Sequence, residues 1–338
     1  MVVVMQKGAA PEARERVLTE IRSLGFTPHI SEGESRTLIG AIGPAPTEEI
    51  REQLRALPGV ETVVRITKPY KLASREFRHD DSAVRIGRVT TGAGRFTVAA
   101  GPCGVESREQ LQAAAEIAHR HGAQVLRGGA FKPRTSPYAF QGLGAEGLEL
   151  LAEARRVTGM PIVTEVTAPE LVETVATTAD MLQIGARNSQ NFALLAEAGR
   201  SGKPVLFKRG LSTSIAEFLQ AAEYVLSQGN PNVVLCERGI RTFETSTRFT
   251  LDIAAVPVLK ELTHLPVWVD PSHAAGRRPL VPALALAAAA AGADGIIVEV
   301  HAHPEEAKSD AAQQLDEAEF GALMASLRRV AAAVGKPL

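Results

Sequence analysis

The chain has 338 residues, 45% apolar and 22% charged, as expected of a globular protein with room for one large domain and one small one. The 37 basic and 38 acidic residues leave a net charge of −1, so no global field favours nucleic acid or an anionic membrane. No apolar run reaches the roughly 18 residues that span a bilayer. The start is too short in its apolar part for a signal peptide, and Cys103 and Cys236 make no disulfide framework, so the expected compartment is the reducing cytoplasm.

Residues 1–67 read as β-α-β-β-α-β. VVVMQ is a short strand, and PEARERVLTEIRSLG sets Val17, Ile21 and Leu24 on one helical face. FTPHIS and RTLIGAIG are strands about the turn EGE. Thr47 is the expected N-cap of PTEEIREQLRAL, whose early acids suit the helix dipole. VETVVRIT closes a split βαβ, or ferredoxin-like, unit. Residues 68–83 are polar and without strong period and read as a linker. A small hairpin around TTGAGR begins the remainder, 84–338. There the apolar strands FTVAAG, AQVLRG, PIVTEV, DMLQIG, PVLFKR, NVVLCER, PVWVD and GIIVEV alternate with amphipathic helices. Eight such units over about 240 residues predict a (β/α)8 TIM barrel. An open doubly wound sheet is the less favoured alternative, because no GxGxxG turn follows the first strand.

The barrel reading carries a functional claim, because such barrels put their active sites at the C-terminal ends of the strands. The residues there are Cys103, Arg127, Glu165, Arg187, Lys208, Arg238, Asp270 and Glu299, with His273 and Asp310 close behind. Cys103, His273, Glu299 and Asp310 make a mixed soft and hard ligand set that suits Mn, Fe, Co or Zn better than Ca or Mg. Their spacing is non-local, and each has a plainer reading: a small buried thiol, a loop histidine, a surface aspartate. Only Glu299, a carboxylate ending an apolar strand, demands a partner. The cations Arg127, Lys132, Arg134, Arg187, Lys208 and Arg238 would repel one another at a shared mouth without an anionic ligand, and their number calls for more than one anionic group. In RGGAFKPRTSPY, the glycines allow close backbone approach and the prolines stiffen the loop. Lys132, Arg134 and Thr135 there are suited to phosphate or carboxylate. Cys236 shares strand parity with Arg238 and reads as core.

Together the motifs AGPCGVES, LRGGAFKPRTSPYAFQG, QIGARNSQNF, LFKRG, LCERGIRTFE, VDPSHAAGRR and EVHAHPEEAKSD resemble the 3-deoxy-D-arabino-heptulosonate 7-phosphate synthases, in the bacterial form with a ferredoxin-like domain ahead of the barrel. The resemblance implies a metal-dependent condensation of phosphoenolpyruvate with erythrose 4-phosphate, the first step of the shikimate pathway. It implies metal ligands Cys103, His273, Glu299 and Asp310. It implies phosphoenolpyruvate contacts from Arg127, Lys132, Ala186, Arg187, Lys208 and Arg238, and erythrose 4-phosphate contacts from Lys132, Pro133, Arg134, Thr135 and Asp310. Lys132 is then the candidate proton donor to the new hydroxyl, with a water on the metal as the alternative, and Glu165 orients the attacking water. Residues 1–67 become a regulatory module that takes tyrosine or phenylalanine in a homotetramer.

Three other readings stay open. The sister activity, 3-deoxy-D-manno-octulosonate 8-phosphate synthase, typically has KANRSS where this chain has KPRTSP. A Schiff-base aldolase with Lys208 as nucleophile would leave the metal ligands unexplained. A non-catalytic sensor would leave the charged strand ends without a purpose.

Overall fold

The computed structural model describes residues 1–32, 37–65, 69–133, 136 and 138–338. They form two compact units, Met1–Asp80 with Leu262–His264, and Asp81–Glu261 with Leu265–Leu338.

The first unit runs β1 (Val2–Met5), α1 (Pro11–Ser23), β2 (Thr27–Glu32), β3 (Thr37–Ile42), α2 (Glu48–Arg55) and β4 (Val60–Val64). Its antiparallel sheet has the order β2-β3-β1-β4, the ferredoxin-like arrangement. The inward residues Val3, Met5, Ile39, Ala41 and Val63 pack with Val17, Leu18 and Ile21 of α1 and Leu54 of α2. Thr47 caps α2 as expected, its hydroxyl accepting from Ile50 N at 3.3 Å. The segment read as a linker is built into this unit from residue 69 to 80. Tyr70, Leu72, Ala73 and Phe77 are buried. A Cβ on Gly40 of β3 would stand 2.9 Å from the Phe77 ring and 3.4 Å from Leu72, so this segment covers the sheet at that point.

The second unit opens with a hairpin, β5 (Ala83–Ile86) and β6 (Val89–Gly92). Its turn is Gly87-Arg88, where Gly87 takes φ +55; TTGAGR, expected to be the turn, instead supplies the second strand and a further tight bend at Ala93-Gly94. The closed barrel follows: β7 (Thr97–Gly101), β8 (Val125–Arg127), β9 (Ile162–Glu165), β10 (Met181–Ile184), β11 (Val205–Lys208), β12 (Val233–Glu237), β13 (Val267–Val269) and β14 (Gly295–Glu299), all parallel, with β14 pairing β7. The connecting helices are α3 (Arg108–Arg120), α4 (Ala145–Thr158), α5 (Val172–Thr178), α6 (Phe192–Arg200), α7 (Ile215–Leu226), α8 (Ala255–Leu262), α9 (Pro271–Ala275) and α10 (Val281–Ala290); α11 (Glu317–Ala333) follows the last strand.

One residue from each strand faces the axis in a single apolar cluster: Ala99, Val125, Val163, Met181, Leu206, Cys236, Trp268 and Ile297, joined by Val234 and by Val84 and Ile86 of the hairpin. The expected core role of Cys236 holds. The hairpin plugs the N-terminal end, and Trp268 Nε1 donates to Thr91 Oγ1 at 2.8 Å, tying plug to barrel. Trp268→Ala should therefore cost about 3–5 kcal/mol, read as a lower midpoint in urea at unchanged slope; a loss under about 1 kcal/mol would mean that the interior is not packed around this ring.

Candidate active site

Side chains alternate along a strand, so the residue two places past the core layer also points to the axis. Those residues are Gly101, Arg127, Glu165, Gln183, Lys208, Arg238, Asp270 and Glu299. The glycine is required by crowding, because a Cβ at Gly101, φ +152, would lie 2.1 Å from the Arg127 carbonyl oxygen. The other seven make a polar ring resting on the apolar layer. Arg127 Nη1 donates to Glu299 Oε1 at 2.7 Å, Lys208 Nζ to Asp270 Oδ2 at 2.5 Å, and Gln183 Nε2 to Glu165 Oε2 at 3.0 Å. Arg127, Lys208, Asp270 and Glu299 are all under 5% exposed. Burial works against the charge on Glu299, but the neighbouring His273 and Arg127 outweigh it and hold its pKa below the usual carboxylate range. Asp270 is held low in the same way by His273 and Lys208.

Arg238 has no such ion pair. It is 6% exposed, and its Nη1 is buried with no hydrogen-bond partner among the described residues. Burial lowers its pKa; Arg248 and Arg187 add to this effect, while Asp270 opposes it. Its guanidinium lies 4.4 Å from the Phe249 ring centre. The Nε of Arg127 is likewise buried and unused. Guanidinium groups stay charged, so these buried donors are chemically suited to an anion.

Beside them sits the ligand cluster. Donor atoms of Cys103, Glu299 and Asp310 lie within 4.8 Å of one another. Cys103 Sγ donates to Asp310 Oδ2 at 3.1 Å, and Lys132 Nζ lies 2.9 Å from the sulfur. His273, on the short helix α9, has Nε2 3.5 Å from Glu299 Oε1 and Nδ1 2.7 Å from Asp270 Oδ2. Burial, reinforced by the Glu299 charge, pushes the Cys103 thiol up to about 12. Burial also works to raise Asp310, but His273 and Arg248 hold it well below the usual carboxylate range. A thiol that high ionises only against a strong cation, and one thiolate, one imidazole and two carboxylates fit a borderline divalent ion. Three of the four expected ligands, Cys103, Glu299 and Asp310, thus share one group, and His273 meets it through Glu299.

A cavity of about 270 Å³ opens here, lined by Lys132, Pro133, Glu165, Arg187, Arg248, His273 and Asp310, with Ser136 and Ala139 at its edge. Ala186 and Arg187 lie on a single 3-10 turn, residues 186–188, past β10. Arg134 and Thr135, expected to take a sugar phosphate, lie outside the described residues.

Sequence reading missed several participants. Gln183, not Arg187, holds the inward place on β10, and two-residue counting from Met181 would have found it; Asp270, expected at its strand end, bridges Lys208 and His273. Arg248 donates to Asp310 Oδ1 at 3.0 Å and to Gln313 Oε1 at 3.1 Å, and Gln313 Nε2 donates to Glu299 Oε2 at 2.7 Å. Both residues lie in aperiodic loop stretches, TSTRFT and DAAQQL, which carry no signal.

Comparison with known proteins agrees with this geometry. Residues 63–333 match the model of the DAHP synthetase I family, and residues 1–68 match the DAHP synthase ferredoxin-like domain. A phospho-2-dehydro-3-deoxyheptonate aldolase of Thermotoga maritima is 51% identical over 335 residues, covering 99% of each chain. Its crystal structure superposes with a TM-score of 0.79 at 50% identity, over 99% of this chain and 98% of that one. A 2-dehydro-3-deoxyphosphooctonate aldolase of Bradyrhizobium sp. is 34% identical over 263 residues, covering 71% of this chain and 91% of the relative. The chain belongs to the DAHP synthetase I family.

Proposed function

We infer that the protein condenses phosphoenolpyruvate with erythrose 4-phosphate, giving 3-deoxy-D-arabino-heptulosonate 7-phosphate and inorganic phosphate at the head of aromatic biosynthesis. The observation that carries this reading is a buried guanidinium with an unused donor, Arg238, beside a thiol, imidazole and carboxylate cluster on one barrel mouth. The octulosonate activity is the weaker reading: the relative bearing that name is 34% identical against 51% for the heptonate enzyme, and the loop reads KPRTSP.

Arg127, Lys132, Arg187, Lys208 and Arg238, with the backbone of Ala186 and Arg187, would bind the phosphate and carboxylate of phosphoenolpyruvate. Pro133, Arg134 and Thr135 would take the sugar phosphate, with Lys132 and Asp310 between the substrates. Cys103, His273, Glu299 and Asp310 would hold one divalent ion of the Mn, Fe, Co or Zn type, which when bound supplies Lewis-acid polarisation of the aldehyde oxygen. C3 of phosphoenolpyruvate attacks the aldehyde carbon, and Lys132 Nζ, poised 2.9 Å from Cys103 Sγ, delivers a proton to the oxygen that becomes the new hydroxyl. Glu165, oriented by Gln183, holds the water that adds at C2, and phosphate leaves from that carbon. The cationic cage is in place before charge moves, so little reorganisation is needed in the transition state. We assign residues 1–67 to an aromatic amino acid effector, tyrosine or phenylalanine, in a homotetramer, with 69–80 packed onto that unit, and 84–338 to catalysis, with the cytoplasm as compartment.

Turnover with erythrose 4-phosphate should exceed that with arabinose 5-phosphate and should vanish in EDTA; equal rates, or full activity in chelator, contradict the reading. Cys103→Ala should lower metal content and cut turnover by about a thousandfold, the several kcal/mol a Lewis acid supplies. Arg134→Ala should raise KM for erythrose 4-phosphate by about 10- to 100-fold, the worth of one charged bidentate contact, and leave that for phosphoenolpyruvate nearly unchanged; equal shifts would mean the loop serves both substrates. Removing residues 1–67 should leave an active enzyme that no longer responds to tyrosine or phenylalanine, whereas unchanged inhibition would put the effector site in the barrel.

A further inference from the structure

Behind the mouth lies a second buried charge cluster that the chemistry above does not use. Arg209 and Glu237 each adjoin a cation of the cage in sequence, Lys208 and Arg238. Alternation turns them the other way, to the outer side of the barrel wall. Arg209 is 5% exposed and Glu237 is fully buried. Arg209 Nη1 donates to Glu237 Oε2 at 2.9 Å and to Asp252 Oδ2 at 2.8 Å, and its Nε donates to the Thr213 carbonyl at 2.8 Å. Glu237 Oε1 in turn accepts from Gly239 N at 2.7 Å, and Asp252 Oδ1 accepts from Ala255 N at 3.2 Å.

One guanidinium thereby fastens the end of β12 and both ends of two loops, 209–214 after β11 and 239–254 after β12. The second loop is stitched across its neck by Ile240 and Thr250, which exchange backbone hydrogen bonds, and to the first by Arg241 N donating to the Leu211 carbonyl at 2.8 Å. Beside this neck lie Arg248, on Asp310, and Phe249, whose ring lies against Arg238. Gly239 leaves no slack, since a Cβ there would stand 2.7 Å from Phe249 Cβ. Burying a guanidinium and a carboxylate costs several kcal/mol unless their remaining donors and acceptors are filled; here Nε and Nη1 of Arg209 and both Glu237 oxygens have partners within this cluster.

We propose that Arg209, with Glu237 and Asp252, is a positioning hub that holds the loop bearing Arg248 and Phe249 against Arg238, and so fixes the aim of the unpaired guanidinium that receives phosphoenolpyruvate. The proposal rests on the assignment of Arg238 to that substrate. A hub of this kind acts on binding geometry; a purely structural ion pair acts on stability alone.

The test uses the full-length, metal-replete enzyme and two variants. Arg209→Lys keeps the charge but cannot reach all three acceptors. Asp252→Asn, at a half-buried loop position, removes one charge with little change of shape. Both should weaken equilibrium binding of phosphoenolpyruvate and raise its KM by about tenfold to a hundredfold, the range that small misplacements produce, with kcat changed by much less and metal content unchanged. Arg238→Ala serves as the reference. If Arg238→Ala weakens phosphoenolpyruvate binding while Asp252→Asn and any folded Arg209→Lys bind it normally, the hub is overturned and the substrate assignment stands. A melting point that falls with no change in phosphoenolpyruvate binding makes the cluster structural only and also overturns the proposal. If Arg238→Ala binds phosphoenolpyruvate like the parent, the substrate assignment fails and the hub falls with it.

Discussion

A ring of buried charge on a closed apolar layer is the constraint on which the site depends. Three cations and three carboxylates project from seven of the eight strands' upper inward positions, with Gln183 as the neutral member. An isolated buried ion costs several kcal/mol, and pairing offsets this only with good geometry. Arg127 has Glu299 and Lys208 has Asp270, so both pairs are near self-sufficient. Among the described residues, Arg238 has an aromatic face but no ion-paired carboxylate, and one buried donor has no partner. A negative ligand there would offset that imbalance, as proposed above, and the cost of gathering like charges would fall on folding rather than on the reaction.

The barrel makes this arrangement possible and also limits it. Residues as far apart in sequence as Cys103 and Asp310 meet only because β14 closes onto β7. Trp268, Met181 and the β5–β6 hairpin pack an apolar floor below the ring, so the polar groups resting on it interact in a lower dielectric than water. Strands set the inward ring to within a residue. Above it, loops supply Lys132 and Asp310, a 3-10 turn supplies Arg187, and the short helix α9 supplies His273.

Fold and ring were legible in the sequence because both follow from periodicity. The βαββαβ order and the eight strands came from alternation and apolar runs, and the strand-end charges from where those runs stopped. The hairpin turn was misplaced because TTGAGR and Gly87-Arg88 are both turn-like, and only packing on the barrel floor decides between them. Burial of Tyr70, Leu72 and Phe77 was hidden because three apolar residues in a polar stretch have no period. Arg248 and Gln313 were invisible for a related reason: a loop residue's destination is set by the tertiary path of its loop, here by Phe249 N and Arg248 N donating to the carbonyls of Ala274 and Ala275. The expected metal ligands were only a list until the motifs were taken jointly, since non-local donors have no spacing to read.

The account depends most on the claim that the cage exists as an anion site in its own right. Calorimetric titration of phosphoenolpyruvate into chelator-treated, full-length protein tests this directly. Saturable binding without metal, weakened by salt and competed by inorganic phosphate, is the predicted result. No binding until a divalent ion is restored would contradict it, because the anion would then be held by the metal and not by Arg127, Arg187, Lys208 and Arg238.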